Sequence, residues 1–443
     1  MSKEVNKKVR NFIRELAADH DILKYAYNKK KFTPGETPIY YSGPVWDDSE
    51  VASAITALLT GKWLSSGENV LKFERMLCRS YNQAQGVMVN SGSSANLVMV
   101  GALKKVLGWK DFDEIIVSPV GFPTTIAPIV QHNLTPVFID IEFDTLNFDV
   151  HRISEKISSK TRAIFVSPVL GNAPDFDVLT TICKQHNITL ILDNCDSMGS
   201  KWDGRLLSDY AEASSYSFYP AHHITTGEGG AVTSNNIDVI KIARSLAWWG
   251  RDCYCVGAAN LLSCGTCGKR FDTWLAGYDK IVDHKFIFGN MGYNLKPLDL
   301  QGAMGLEQLK KAPMIHQKRK LHKKRLEEIF LRNVGNINIP QELDKAETSW
   351  FGVPIICDNA HLKGRLVSFL EDKKVQTRNY FAGNILLHPA YCHLDDYEKY
   401  PNANQVLDRV FWIGVSPLYT DEVFDYIDDI LSQFRPSLLT LST

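Results

Sequence analysis

Seven short apolar runs punctuate the first half of the chain, at residues 86–91, 114–120, 136–141, 163–169, 189–195, 214–219 and 230–234. Between them the apolar residues recur at helical spacing. Strands alternating with helices predict a mostly parallel α/β sheet. Open sheets of that kind bind ligands at the carboxyl ends of their strands. Ahead of the first run, Val9, Phe12, Ile13, Leu16 and Leu23 predict a helix over 9–23 that covers part of the fold or a partner subunit. Thr33-Pro34-Gly35 then breaks the chain. Residues 299–330 read as a helix rich in Lys and Arg, notably Lys318-Arg319-Lys320 and Lys323-Lys324-Arg325. A solvated helix face is the expected use of such a run, and docking of an acidic partner the sharper one. The expected organisation is an N-terminal helical segment (1–45), a large domain (46–330) with a cysteine-rich insertion near 250–272, and a smaller C-terminal α/β domain (331–443). No internal repeat or low-complexity tract is present.

Composition changes this picture little. The 443 residues are 44% hydrophobic and 22% charged, as in ordinary globular proteins. A net charge of −1 gives no electrostatic case for a nucleic-acid partner. The opening residues lack the apolar core of a signal peptide, and no apolar stretch reaches membrane-spanning length. The expected place is the cytoplasm, without membrane association.

The candidate chemistry sits at the ends of the predicted strands. Asn90-Ser91-Gly92-Ser93-Ser94-Ala95-Asn96 follows one of them and opens a helical pattern. Small residues there let backbone N–H groups and hydroxyls approach a phosphate at a helix N-terminus, although alone the motif is a turn and N-cap. Asp193 ends another run and has the charge to keep a pyridine nitrogen protonated; alone, it could equally cap a helix. Phe122, in Gly121-Phe122-Pro123-Thr124-Thr125, has a ring that can stack on a cofactor, where a lone strand-end Phe is ordinarily core. His222 lies in Ser217-Phe218-Tyr219-Pro220-Ala221-His222-His223-Ile224-Thr225-Thr226-Gly227-Glu228-Gly229-Gly230. Imidazole carries protons near working pH.

Taken together, and in this order, these segments resemble the sugar aminotransferases dependent on pyridoxal phosphate (PLP). The resemblance runs from about residue 40 to the end of the chain. It implies the aspartate-aminotransferase type of fold (PLP fold type I) and a homodimer with sites at the subunit boundary. It also implies that Ser93, Ser94 and Ser217 hold the cofactor phosphate, that Phe122 stacks on the ring and that Asp193 meets the pyridine nitrogen. Gly292-Tyr293-Asn294-Leu295-Lys296-Pro297 resembles the segment that reaches the phosphate from the dimer partner, with Asn294 as the contact. In that family a lysine stands where His222 stands here and binds PLP covalently. Imidazole has no primary amine, so the cofactor is expected to be held non-covalently, as pyridoxamine 5′-phosphate (PMP). His223 is expected to be a local hydrogen-bonding neighbour and Tyr219 a supporting residue.

Nine cysteines are present, at 78, 183, 195, 253, 255, 264, 267, 357 and 392, and four fall within 253–267. Cys253-Tyr254-Cys255 places two thiols on one face of an extended segment, and Cys264 and Cys267 follow. Four thiolates suit a 2Fe–2S cluster or structural zinc; spacing alone does not choose between these and plain thiols. With His222, the set Cys195, Cys253, Cys255 and Cys267 gives a narrower resemblance, to the lysine-lacking CDP-4-keto-6-deoxyglucose 3-dehydrases of 3,6-dideoxysugar and lipopolysaccharide O-antigen biosynthesis. Thr266-Cys267-Gly268-Lys269-Arg270-Phe271 matches the context of their fourth cluster ligand, while the segment before it is longer and holds the extra Cys264. Cys264 and Cys267 are therefore rival fourth ligands, with the context favouring Cys267.

The narrower resemblance implies C3 deoxygenation of a nucleotide-linked 4-keto-6-deoxyhexose by PMP and a 2Fe–2S cluster. His222 would be the base, and electrons would come from an NADH-dependent flavin iron–sulfur reductase. Two other readings remain. One is a cluster-independent PLP/PMP sugar 3-dehydratase, and the other a non-catalytic metal-binding protein of the same fold.

Overall fold

A computed structural model describes residues 2–20, 22, 32–253, 271, 275 and 277–435. Helix α1 (Ser2–Asp19) lies on α2 (Asp48–Thr60), followed by α3 (Glu68–Ser80). Then come β1 (Gln85–Val89), α4 (Gly92–Val106), β2 (Glu114–Val117), α5 (Pro123–Gln131), β3 (Thr135–Phe138), β4 (Thr161–Val166), α6 (Phe176–His186) and β5 (Thr189–Asp193). The short β6 (Lys201–Trp202) and β7 (Arg205–Leu206) precede β8 (Ala213–Ser217), β9 (Gly230–Ser234), α7 (Ile237–Ala247) and the long α8 (Asp299–Asn333). The rest of the chain forms β10 (Ile337–Asn338), β11 (Ala346–Glu347), β12 (Gly352–Cys357), α9 (Ala360–Asp372), β13 (Thr377–Asn379), α10 (Pro401–Arg409), β14 (Val410–Gly414) and α11 (Asp421–Gln433).

All seven predicted runs become strands of one sheet, in the order β1-β9-β8-β5-β4-β2-β3. The strands from β8 to β3 run parallel, and β9 is antiparallel to both of its neighbours. Side chains alternate across it. Ile115, Val117, Ala163, Phe165 and Ile191 face a core shared with α4, α5 and α7, while Ile116, Ile164, Val166, Leu190 and Leu192 face a core shared with α6. Cover on both faces is why β2, β4 and β5 read as unbroken apolar runs rather than alternating ones. A second sheet, β10-β12-β14-β13, packs against α9, α11 and the distal half of α8 around Leu326, Phe330, Val353, Leu366 and Ile427. A third joins β11, β6 and β7. No helix among the described residues is long and apolar enough to cross a membrane.

Two expectations need correction. The N-terminal helix starts and stops earlier than the 9–23 pattern suggests. Ile13 is buried and Phe12 exposed, Arg10 and Arg14 clamp Asp48 of α2, and Leu23 lies outside the described residues. The basic run of α8 is only in part a solvated face. Arg319 and Lys323 fall in line with Ala312, Ile315 and Leu326 on the buried side of the helix. Lys323 pairs with Glu327, Lys320 with Glu347, and Arg325 with Asp421 and Asp425. That internal use weakens the case for the run as a docking site.

Candidate active site

A cavity of about 850 Å³ opens where the carboxyl ends of β1, β5 and β8 meet the N-terminus of α4. The β8 end contributes Ser217, Tyr219, Ala221 and His222. The β5 end contributes Asp193, Cys195 and Asp196, and the start of α4 contributes Ser91, Gly92, Ser93 and Asn96. Phe122, at the N-cap of α5, and Thr124, in its first turn, enter beside them. Tyr41, Phe351, Arg378, Phe381, His388 and Trp412 close the opposite wall. No lysine lines the cavity among the described residues.

The α4 end is built for close approach. Ser91 caps the helix, its Oγ accepting from the Ser94 amide at 3.1 Å and donating to Ser94 Oγ at 2.9 Å. That turns the Ser94 hydroxyl to the cap, and Ser94 stands just outside the cavity lining. Ser93 Oγ reaches Thr124 Oγ1 at 2.9 Å. A Cβ on Gly92 would come within 2.5 Å of Ser217 Cβ and 3.0 Å of Cys195 Sγ, and one on Gly230 within 2.2 Å of the Ser91 carbonyl oxygen. Only glycine allows these two strand ends to meet the helix, which leaves backbone amides and three serine hydroxyls around a space suited to an anion.

Asp193 is buried and held by neutral donors. Its Oδ2 accepts from Asn96 Nδ2 at 2.8 Å and Thr125 Oγ1 at 2.7 Å, and its Oδ1 from the Cys195 amide at 3.2 Å and Ser215 Oγ at 3.4 Å. The carboxylate is oriented without a cationic hydrogen-bond partner, which suits a ligand that brings its own protonated nitrogen. Phe122 stands half-exposed at the cavity mouth, edge-on to Phe381 at 6.2 Å.

The His222 ring lies 5.0 Å from that of Phe351, with Tyr219 edge-on at 6.5 Å. Its Nδ1 is buried without a hydrogen-bond partner and sits 3.6 Å from Asp196 Oδ1. Burial, reinforced by the Arg319 charge, lowers the His222 pKa to about 4 against the pull of Asp193 and the Cys195 carbonyl. Burial and the Asp193 charge raise the Asp196 carboxyl to about 7. Near pH 6 the two therefore face each other uncharged, and the imidazole is free to accept a proton. His223 behaves as a local partner, its Nε2 donating to the Ser349 carbonyl at 2.6 Å. His316 bonds Ser349 Oγ at 2.7 Å and Tyr81 Oη at 3.0 Å behind it.

These buried and half-buried histidines make the fold acid-sensitive. Burial holds His222 at about 4, His316 at about 3 and His223 well below the ordinary value. Below about pH 6.5 the unfolded chain takes up three protons that the folded one refuses, whereas folded Asp196 keeps one that the unfolded chain has lost. Burial also lowers His132 and His322, so the unfolded chain binds more protons overall, and stability is expected to fall as pH drops from 6 to 5. Urea midpoints at the two pH values measure it; equal midpoints would show that the histidines are not held neutral.

Of the cysteine set Cys195, Cys253, Cys255 and Cys267, only Cys195 and Cys253 lie among the described residues. Cys195 lines the cavity, its thiol pushed well above the ordinary value by burial and the Asp193 charge, so it loses its proton only to a metal or another strong partner. Cys253 is half-buried beyond the Arg251–Phe288 bridge and does not line the cavity. Cys255, Cys264 and Cys267 lie outside the described residues. Among the described residues no three His, Cys, Asp or Glu side chains form a metal-ligating group. Asn294 is exposed, pairs with Trp248 and accepts a hydrogen bond from Lys296, away from its own chain's cavity.

Several cavity residues went unread in the sequence. Asp196 had a signal, as a second carboxylate three residues after Asp193. Asn96 lies within the Asn90–Asn96 motif, and Thr125, which holds Asp193 from behind the lining, within Gly121–Thr125. Tyr41, Phe351, Arg378 and Trp412 carry no local signal and arrive only by folding.

A family model described as the DegT/DnrJ/EryC1/StrS aminotransferase family matches residues 46–432. A dTDP-4-dehydro-2,6-dideoxy-D-glucose 3-dehydratase of Saccharopolyspora spinosa is 39% identical over 91% of this chain and 88% of its own length. The lipopolysaccharide biosynthesis protein RfbH of Salmonella typhimurium is 35% identical over 96% of this chain and 98% of its own. Among solved structures, an E. coli GDP-4-keto-6-deoxy-D-mannose-3-dehydratase with bound hydrated PLP superposes with a TM-score of 0.76 at 27% identity, covering 89% of this chain and 99% of that one.

Proposed function

The chain belongs to the DegT/DnrJ/EryC1/StrS aminotransferase family, and we propose that His222 stands at the family's lysine position and that the chain removes the C3 hydroxyl of a nucleotide-linked 4-keto-6-deoxyhexose. Its fold is PLP fold type I. The observation that carries the reading is the placement of His222 in the lining of a cavity with no lysine among its described lining residues. Relatives named as 3-dehydratases of dTDP- and GDP-linked sugars support the substrate class. CDP is the nucleotide that the narrower resemblance favours.

The residues present fit PMP or PLP. The glycine-lined α4 end with Ser93 and Ser217, and Ser94 behind it, would hold the phosphate; Asn294 of a second copy in a homodimer would join them. Phe122 would stack on the ring, and Asp193 would face the pyridine nitrogen. When bound, the cofactor supplies an amine for the C4 ketone and an electron-withdrawing ring. His222 moves the proton at the cofactor's C4′ carbon. Asp196, opposite Nδ1, would steady the charged imidazole in its ionised form, which its raised pKa of about 7 reserves for neutral pH and above. The aromatic wall of Phe351, Phe381 and Trp412 limits water around these groups.

A 2Fe–2S cluster on Cys195, Cys253, Cys255 and Cys267 belongs to the same proposal, and would supply single electrons obtained from an NADH-dependent flavin iron–sulfur reductase in the cytoplasm. The soft thiol donor set fits such a group. The likeness to the GDP-sugar 3-dehydratase structure favours the second reading, a cluster-independent dehydratase. Iron and acid-labile sulfide on protein purified without air separate the two. About two of each per chain are expected for the cluster. Zinc, or no metal after anaerobic reconstitution, overturns the cluster and leaves the second reading.

A further inference from the structure

We propose that Arg319 is a positioning residue for His222, clamping the backbone on both sides of the imidazole. Arg319 projects from α8 and is buried. Its Nη2 donates to the carbonyls of Ala221 and His222 at 3.3 and 3.4 Å. Its Nη1 donates to the carbonyls of Trp350 and Phe351 at 3.2 and 3.0 Å. These two segments are the ones that carry the His222 ring and the Phe351 ring packed 5.0 Å away from it. One guanidinium thus fixes the spacing of base and aromatic wall from behind.

The chemistry of the site favours this use over a merely structural one. A buried cation bonded to carbonyl oxygens, with Nε lacking a partner, is costly beside the apolar residues that fill the rest of the α8 stripe. A leucine or methionine would pack there more cheaply. Only a planar fork reaches two carbonyl pairs at once, so lysine cannot replace it fully. A misplacement of about 1 Å at a reacting group can cost on the order of a hundredfold in rate.

The inference rests on His222 being the base, and its test separates the two claims. In cofactor-free protein, Arg319→Met is expected to raise amide hydrogen exchange in residues 219–226 at least tenfold while residues 305–315 keep their protection. In the loaded enzyme, kcat is expected to fall about a hundredfold with KM within threefold, and Arg319→Lys to fall between wild type and Arg319→Met. Unchanged exchange in 219–226, or exchange rising equally throughout the molecule, overturns the clamp whatever His222 does. Faster local exchange with unchanged kcat overturns the positioning role. Should Arg319→Met fail to fold, Arg319→Lys decides alone: a tenfold loss of kcat at unchanged KM and melting temperature supports the clamp, and wild-type kcat overturns it.

Discussion

Replacing His222 with asparagine is expected to lower turnover by about a thousandfold or more while leaving PMP bound. A positioned general base contributes about 10²–10⁴ in rate, and the amide of asparagine cannot take its place. The substitution is mild for the fold. The imidazole Nδ1 has no hydrogen-bond partner to lose, and the backbone turn at His222 is made by its own N–H to the Tyr219 carbonyl at 3.0 Å. Cofactor affinity therefore stays within a few-fold, because the phosphate and ring contacts come from other elements. Hydrogen exchange at C4′ in the presence of substrate reports the base directly. If exchange and turnover survive within tenfold, the proton is moved by another group in the cavity, and Tyr219 and Asp196 are the neighbours in reach.

The second large effect is expected at Asp193. Asp193→Asn should cost on the order of 10²–10³ in turnover and weaken cofactor binding, since a buried carboxylate facing a protonated ring nitrogen is worth several kcal/mol to that protonation state. The four donors now holding the carboxylate are neutral, so no buried ion pair is broken in the cofactor-free protein. Turnover and cofactor affinity measured together, beside a melting temperature, separate this from a structural role. A variant with near-normal turnover would make Asp193 a structural anchor for Asn96, Thr125 and the Cys195 turn and no more.

Much of the sheet was legible because both its faces are covered. Runs such as Leu190–Leu192 are apolar on both faces, and the ends of β1, β5 and β8 coincide with the motifs that line the cavity. His222 was legible through its flanking segment, which positions the chain at the end of β8. The Arg319 clamp was hidden inside a basic run, where charge outweighed register; helical spacing from Ala312 and Ile315 to Leu326 would have placed Arg319 and Lys323 on the buried side. The wall of Phe351, Phe381 and Trp412 could not be read locally, because β12, β13 and β14 reach the cavity only through the packing of the second sheet against α8.

The central claim is that His222 makes this a C3 deoxygenating enzyme and not a C4 transaminase. It is tested most directly with a nucleotide-linked 4-keto-6-deoxyhexose carrying ¹⁸O at C3, incubated with PMP and the wild-type or His222→Asn protein. Release of the label into water by the wild type, and its retention with the variant, is the predicted result. A 4-amino sugar that keeps its ¹⁸O would contradict it.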